Sequence, residues 1–125
     1  MYKNNSRDSS KFSGCSPLQL SCSLTGKCHA IGYYYYTTRG GEFEVSVKIS
    51  GNYKTRFDQM GLMLRIDEEY WIKTGIEYVD GVYNFSTVVT DVHRNWSVIE
   101  LNGKPESVWI KAVRKIDAVE FFFIP

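Results

Sequence analysis

The segment Tyr78-Val79-Asp80-Gly81-Val82-Tyr83 constrains this chain more than any other stretch of it. Asp-Gly between two alternating runs supplies the positive φ angles of a type I′ turn, whose twist suits paired strands. Such a turn sets Val79 opposite Val82. Counting back pairs Glu77 with Asn84, Gly75 with Ser86, Lys73 with Val88 and Trp71 with Thr90. The other face pairs Tyr78 with Tyr83, Ile76 with Phe85, Thr74 with Thr87 and Ile72 with Val89. This second set is nearly all apolar and the first mostly polar, as a half-buried antiparallel pair requires. A slip by one residue would mix the two sets.

The preceding strand obeys the same count. A loop at Asp67-Glu68-Glu69 pairs Ile66 with Tyr70, Leu64 with Ile72, Leu62 with Thr74 and Met60 with Ile76, again placing apolar residues on the core face. The opposite face acquires rows: Gln59, Glu77 and Asn84; Gly61, Gly75 and Ser86; Met63, Lys73 and Val88; Arg65, Trp71 and Thr90. Glycine inside a strand costs about 0.5–1 kcal/mol relative to alanine. Two opposed glycines therefore mark a place where a ligand, a loop or another backbone comes close. Two readings stay open. Either the glycines floor a binding site, or they relieve crowding within the sheet beneath a covering loop and Lys73–Glu77 and Arg65–Trp71 are ordinary surface pairs.

From Ile31 onward the signals are β throughout, with strands expected at Tyr33–Thr38, Phe43–Ser50, Gln59–Ile66, Tyr70–Val79, Val82–Thr90, Trp96–Leu101, Ser107–Lys115 and Ala118–Ile124. Arg39-Gly40-Gly41, Gly51-Asn52 and Asn102-Gly103-Lys104-Pro105 supply further turns. Residues 1–16, rich in Ser, Asn and Lys, read as a mobile tail, and residues 17–125 as one all-β domain. Leu18 to Ala30 has poor periodicity and reads at most as an irregular strand.

With 15 Lys+Arg against 14 Asp+Glu, no net field draws the chain to nucleic acid or to anionic lipid. No apolar run approaches the roughly 20 residues of a membrane span. The opening Met1-Tyr2-Lys3-Asn4-Asn5 lacks the apolar centre of a secretory signal, so a cytoplasmic protein is expected. Cys15, Cys22 and Cys28 lack the short spacing of a structural zinc site and read as free thiols in a reducing compartment.

Residues 57–67, Phe57-Asp58-Gln59-Met60-Gly61-Leu62-Met63-Leu64-Arg65-Ile66-Asp67, together with Trp71-Ile72-Lys73-Thr74-Gly75-Ile76-Glu77-Tyr78-Val79-Asp80-Gly81, Asn95-Trp96-Ser97-Val98 and Val108-Trp109-Ile110-Lys111, carry a resemblance. They resemble the regulation-of-enolase family of unknown function over roughly Glu42 to Phe122. The resemblance implies a concanavalin A-like jelly-roll β-sandwich, with ligands on the concave outer face of a curved sheet. Family members carry an N-terminal motif of which Lys27-Cys28-His29-Ala30-Ile31-Gly32-Tyr33 is at best a remnant, and they continue with further strands beyond Pro125. A fragment, a shortened relative or an altered product is therefore expected, in which missing strands leave unpaired edges prone to self-association.

That superfamily contains glycosidases, which need two carboxyl groups roughly 5 Å apart in a retaining enzyme. Glu42 and Glu44 lie beside a Gly-Gly turn, Asp67, Glu68 and Glu69 form a hairpin tip, and Asp58 and Glu77 are better placed but Glu77 has no second acid partnering it across the face. His93 falls in a loop, Asp91 to Asn95, without a triad partner, and no calcium ligands cluster. A non-catalytic binding module without metal or cofactor is expected. Its ligand is expected to be a carbohydrate or a small polar molecule, with Trp71 stacking, Gln59, Glu77 and Asn84 bonding hydroxyls, and Arg65 and Lys73 meeting an anionic or polar group. The alternative is a protein-interaction or metabolic-regulatory module with no small ligand.

Overall fold

The computed structural model describes residues 2–5, 17–23, 34–91 and 93–125. Through these run β1 (Tyr2–Asn5), β2 (Leu18–Ser23), β3 (Tyr34–Arg39), β4 (Phe43–Ile49), β5 (Gln59–Arg65), β6 (Trp71–Val79), β7 (Val82–Asp91), β8 (His93–Glu100), β9 (Val108–Arg114) and β10 (Val119–Ile124), with no helix among the described residues. They form two antiparallel sheets, one in the order β3-β2-β5-β6-β7-β8 and one in the order β1-β10-β9-β4. The chain changes sheet after β1, after β3, after β4 and after β8, which gives an all-β sandwich of jelly-roll type.

The hairpin at the centre has the geometry its chemistry demands. Asp80 has φ 51° and Gly81 φ 86°, both positive as a type I′ turn requires. Every pair from Val79–Val82 to Trp71–Thr90 follows the expected register. The β5–β6 pairing also matches, from Gln59–Glu77 to Arg65–Trp71, and Ile66 donates its N–H to the Tyr70 carbonyl at 2.9 Å.

The register dictates the core. Leu62, Leu64, Ile72, Ile76, Phe85 and Val89 face inward from the larger sheet and meet Ile49, Val108, Ile110, Ala112, Val119, Phe121 and Phe123 near or on the smaller one. Phe85 stacks on Phe123 across the sandwich at 3.9 Å between ring centres. Two polar side chains on this inner face, Thr74 and Thr87, bond to each other at 2.9 Å, which avoids the cost of an unpaired buried hydroxyl. Arg114, 2% exposed, reaches the Gly41 carbonyl at 3.4 Å and lies over the Phe43 ring. Tyr53 is buried edge-on against Tyr83, and burial followed by the neighbouring Tyr83 pushes its hydroxyl up to about 12.

Three segments depart from expectation. Residues 2–5, read from sequence as part of a mobile tail, pair with β10 from Tyr2–Phe123 to Asn5–Glu120, because an open edge offers hydrogen bonds that need no apolar side chains. Residues 6–16 lie outside the described residues. Leu18–Ser23, ambiguous in sequence, is a full strand between β3 and β5. β8 begins at His93, inside the segment read as a loop, and pairs with β7 as far as Asp91–His93. Cys15, Cys28 and His29, and with them the reading of the thiols, also fall outside the described residues.

Candidate functional site

The face of the six-stranded sheet turned away from the core carries all the residues singled out in sequence. Gln59 and Arg65 stand on β5, Trp71, Lys73 and Glu77 on β6, and Asn84 on β7, every one of them half-buried. Among the described residues no second sheet covers this face, and half-burial there is what neighbouring side chains on a crowded polar surface produce.

Hydrogen bonds knit this face together. Lys73 Nζ donates to Gln59 Oε1, reaching diagonally across the row of Gly61 and Gly75. Arg65 Nη1 reaches Gln19 Oε1 on β2 at 3.5 Å, the long limit of a hydrogen bond. Asn84 Nδ2 donates to the Val82 carbonyl at 3.4 Å. Thr90, opposite Trp71, is different: its Oγ1 is buried without a hydrogen-bond partner among the described residues. A buried hydroxyl in that condition calls for a further partner, such as a water molecule or a ligand.

The paired glycines are explained by the sheet itself. A Cβ built on Gly61 would overlap the Thr74 carbonyl oxygen and lie 2.9 Å from Gly75 Cα. One built on Gly75 would overlap the Met60 carbonyl oxygen and lie 2.6 Å from Gly61 Cα. The backbone that approaches these glycines is therefore the neighbouring strand, and of the two sequence readings the relief of crowding is real. A shallow recess remains beside them, lined by Gln59, Gly61, Met63, Lys73, Gly75 and Ser86. It holds about 20 Å³, room for a water molecule but not for a sugar ring. Any larger ligand lies on the face, over the recess.

Sequence reasoning on three strands missed the columns on either side. Through β2, Gln19 joins Arg65, Ser21 joins Met63 and Ser23 joins Gly61. Through β8, Glu100 joins Asn84, Val98 joins Ser86, Trp96 joins Val88 and Arg94 joins Thr90. Carrying the same count through the turn between Asp91 and His93 would have found the β8 set. The face thus has acids at one end, Glu77 and Glu100, and arginines at the other, Arg65 and Arg94. The expectation that no second acid accompanies Glu77 is corrected: Glu100 occupies its row, one strand beyond Asn84. Glu100 is exposed, whereas a general acid needs a dehydrated, apolar setting. Asp58 serves the loop before β5. Its Oδ2 accepts from the Thr55 and Lys54 backbone N–H groups, each at 2.8 Å, and these bonds hold the carboxyl below the usual carboxylate range.

Comparison with known proteins places this face in context. The yeast Regulation of enolase protein 1 (Saccharomyces cerevisiae) is 34% identical over 80 residues, which is 64% of this chain and 40% of the yeast protein. An uncharacterised protein of Emericella nidulans is 29% identical over 75 residues, 57% of this chain and 38% of that protein. The alignments thus span about two fifths of each curated relative. No solved structure matches. The family model described as "Protein of unknown function (DUF1349)" matches residues 22–125, from the end of β2 through β10, and the chain belongs to that family.

Proposed function

We propose that this protein is a non-catalytic binding module that takes a carbohydrate or another small polar ligand on the outer face of its six-stranded sheet. The observation that carries the reading is the row structure of that face. Side chains able to bond hydroxyls, Gln59, Glu77 and Asn84, stand at one end, Trp71 with Thr90 Oγ1, which has no partner among the described residues, at the other, and Lys73 and Arg65 between and beside them. An indole offers a flat apolar surface to a sugar ring while amide and carboxylate groups take its hydroxyls. A cytoplasmic setting and the absence of a metal or cofactor belong to the same reading.

A glycan array followed by calorimetry on the folded chain tests it. Saturable binding that Trp71→Ala weakens about tenfold or more, and that Glu77→Gln also weakens, supports the site. A folded sample that binds no glycan rejects the sugar reading.

A second reading is favoured by the 34% identity to a protein named for regulation of enolase. In it the same face docks a protein partner, and the module acts in metabolic regulation with no small ligand. Substitution at Trp71 or Arg65 then reduces protein capture and leaves glycan titrations flat.

A further inference from the structure

Strand β8 ends the six-stranded sheet, and among the described residues no strand lies beyond it. Arg94 to Glu100 are exposed throughout. Leu101 donates its N–H to the Tyr83 carbonyl at 2.8 Å, continuing the β7–β8 ladder. In an antiparallel ladder alternate residues turn both backbone groups to the same side. Asn95, Ser97 and Ile99 therefore face β7, while Arg94, Trp96, Val98 and Glu100 present N–H and C=O groups at the free edge. The side chains of these latter residues stand on the outer face, in the rows of Thr90, Val88, Ser86 and Asn84. Along the strand they run cation, aromatic, β-branched, anion. Reversed, that order is complementary to itself.

We infer that β8 pairs antiparallel with β8 of a second copy of this chain about a two-fold axis through Ser97. Arg94 then stands opposite Glu100 of the partner subunit, and Trp96 opposite Val98 of the partner subunit. The two-fold repeats each pair with the roles exchanged. Opposite charges, and an aromatic beside a β-branched residue, are the cross-strand pairs that stabilise facing strands. Neighbouring registers lose this match. Centring on Trp96 sets two indoles opposite each other and Arg94 against Val98; centring on Val98 sets Glu100 against Trp96. No proline or glycine interrupts His93–Glu100, so nothing in the backbone blunts the edge. On the inner face Ser97 meets its own counterpart as a non-hydrogen-bonded pair, with Cα atoms about 4.5 Å apart. The contact makes the expected self-association specific, and it stands independently of whether the face binds a sugar.

Light scattering on the eluting peak measures it. The 14.4 kDa chain is expected to run at twice that mass at high concentration and to dissociate on dilution. Arg94→Glu and Glu100→Arg each weaken the dimer about tenfold or more while the melting temperature of the dilute monomer stays unchanged, and the two together restore it. Under mild oxidation Ser97→Cys yields a disulfide joining position 97 to itself, whereas Glu106→Cys in the exposed loop does not, as peptide mapping reads directly. A chain that stays at 14.4 kDa even at millimolar concentration overturns the inference. So does a dimer that neither charge reversal weakens.

Discussion

Gly61 and Gly75 face each other across β5 and β6 so closely that neither position has room for a Cβ. The obstruction at each is a backbone carbonyl of the opposite strand, which cannot rotate away as a side chain could. Gly61→Ala and Gly75→Ala are each expected to destabilise the fold by about 1–3 kcal/mol, the usual cost of overpacking, despite alanine's lower backbone entropy cost. Gly51→Ala is the control, because its Cβ would meet only the flexible end of Met60. Urea midpoints of the three variants rank them.

Thr74 and Thr87 bond only within the core, so their contributions are coupled. Thr74→Val alone leaves the Thr87 hydroxyl buried and unsatisfied, at about 1–3 kcal/mol. Replacing both by Val removes the orphan and recovers most of that loss. A double-mutant cycle by chemical denaturation checks the non-additivity.

Two ionisable groups give the stability curve its expected limbs. Tyr53 titrates at about 12 in the folded protein, above the ordinary value of 10.0. The stability that its neutral form contributes is complete below pH 10 and is lost as pH rises toward 12. Tyr53→Phe is expected to flatten that alkaline limb. Asp58 is shifted the other way by its bonds from Thr55 and Lys54. Its contribution is present above the ordinary carboxylate range and lost as pH falls through the lower folded value, so Asp58→Asn flattens the acid limb. Denaturant titrations across pH measure both.

Much of the fold was legible because Asp80-Gly81 and the alternation around it specify register, and register specifies faces. The same count brought Gln59, Arg65, Trp71, Lys73, Glu77 and Asn84 onto one surface. What escaped notice lacked side-chain alternation. The start of β8, His93 to Asn95, reads as a loop, because the strand is exposed on both faces from Arg94 to Glu100 and no in-and-out pattern extends it back from Trp96. β1 is Tyr-Lys-Asn-Asn, held in the sheet by backbone pairing along β10. β2 offers too short an alternation to read, although the ladder sets Leu20 beside Leu64 and Cys22 beside Leu62. The role of Gly61 and Gly75 also lay beyond sequence, since a ligand floor and a close strand approach demand the same residue.

The outer face of the six-stranded sheet is the centre of this account, and chemical-shift mapping tests it most directly. Amide spectra of the 14.4 kDa chain would be followed while titrating the strongest glycan found on the array. The account predicts saturable shifts clustered at Gln59, Arg65, Trp71, Lys73, Glu77, Asn84 and Thr90, abolished by Trp71→Ala. No saturable shifts, or shifts confined to the four-stranded sheet around Trp109 and Ile124, would contradict it.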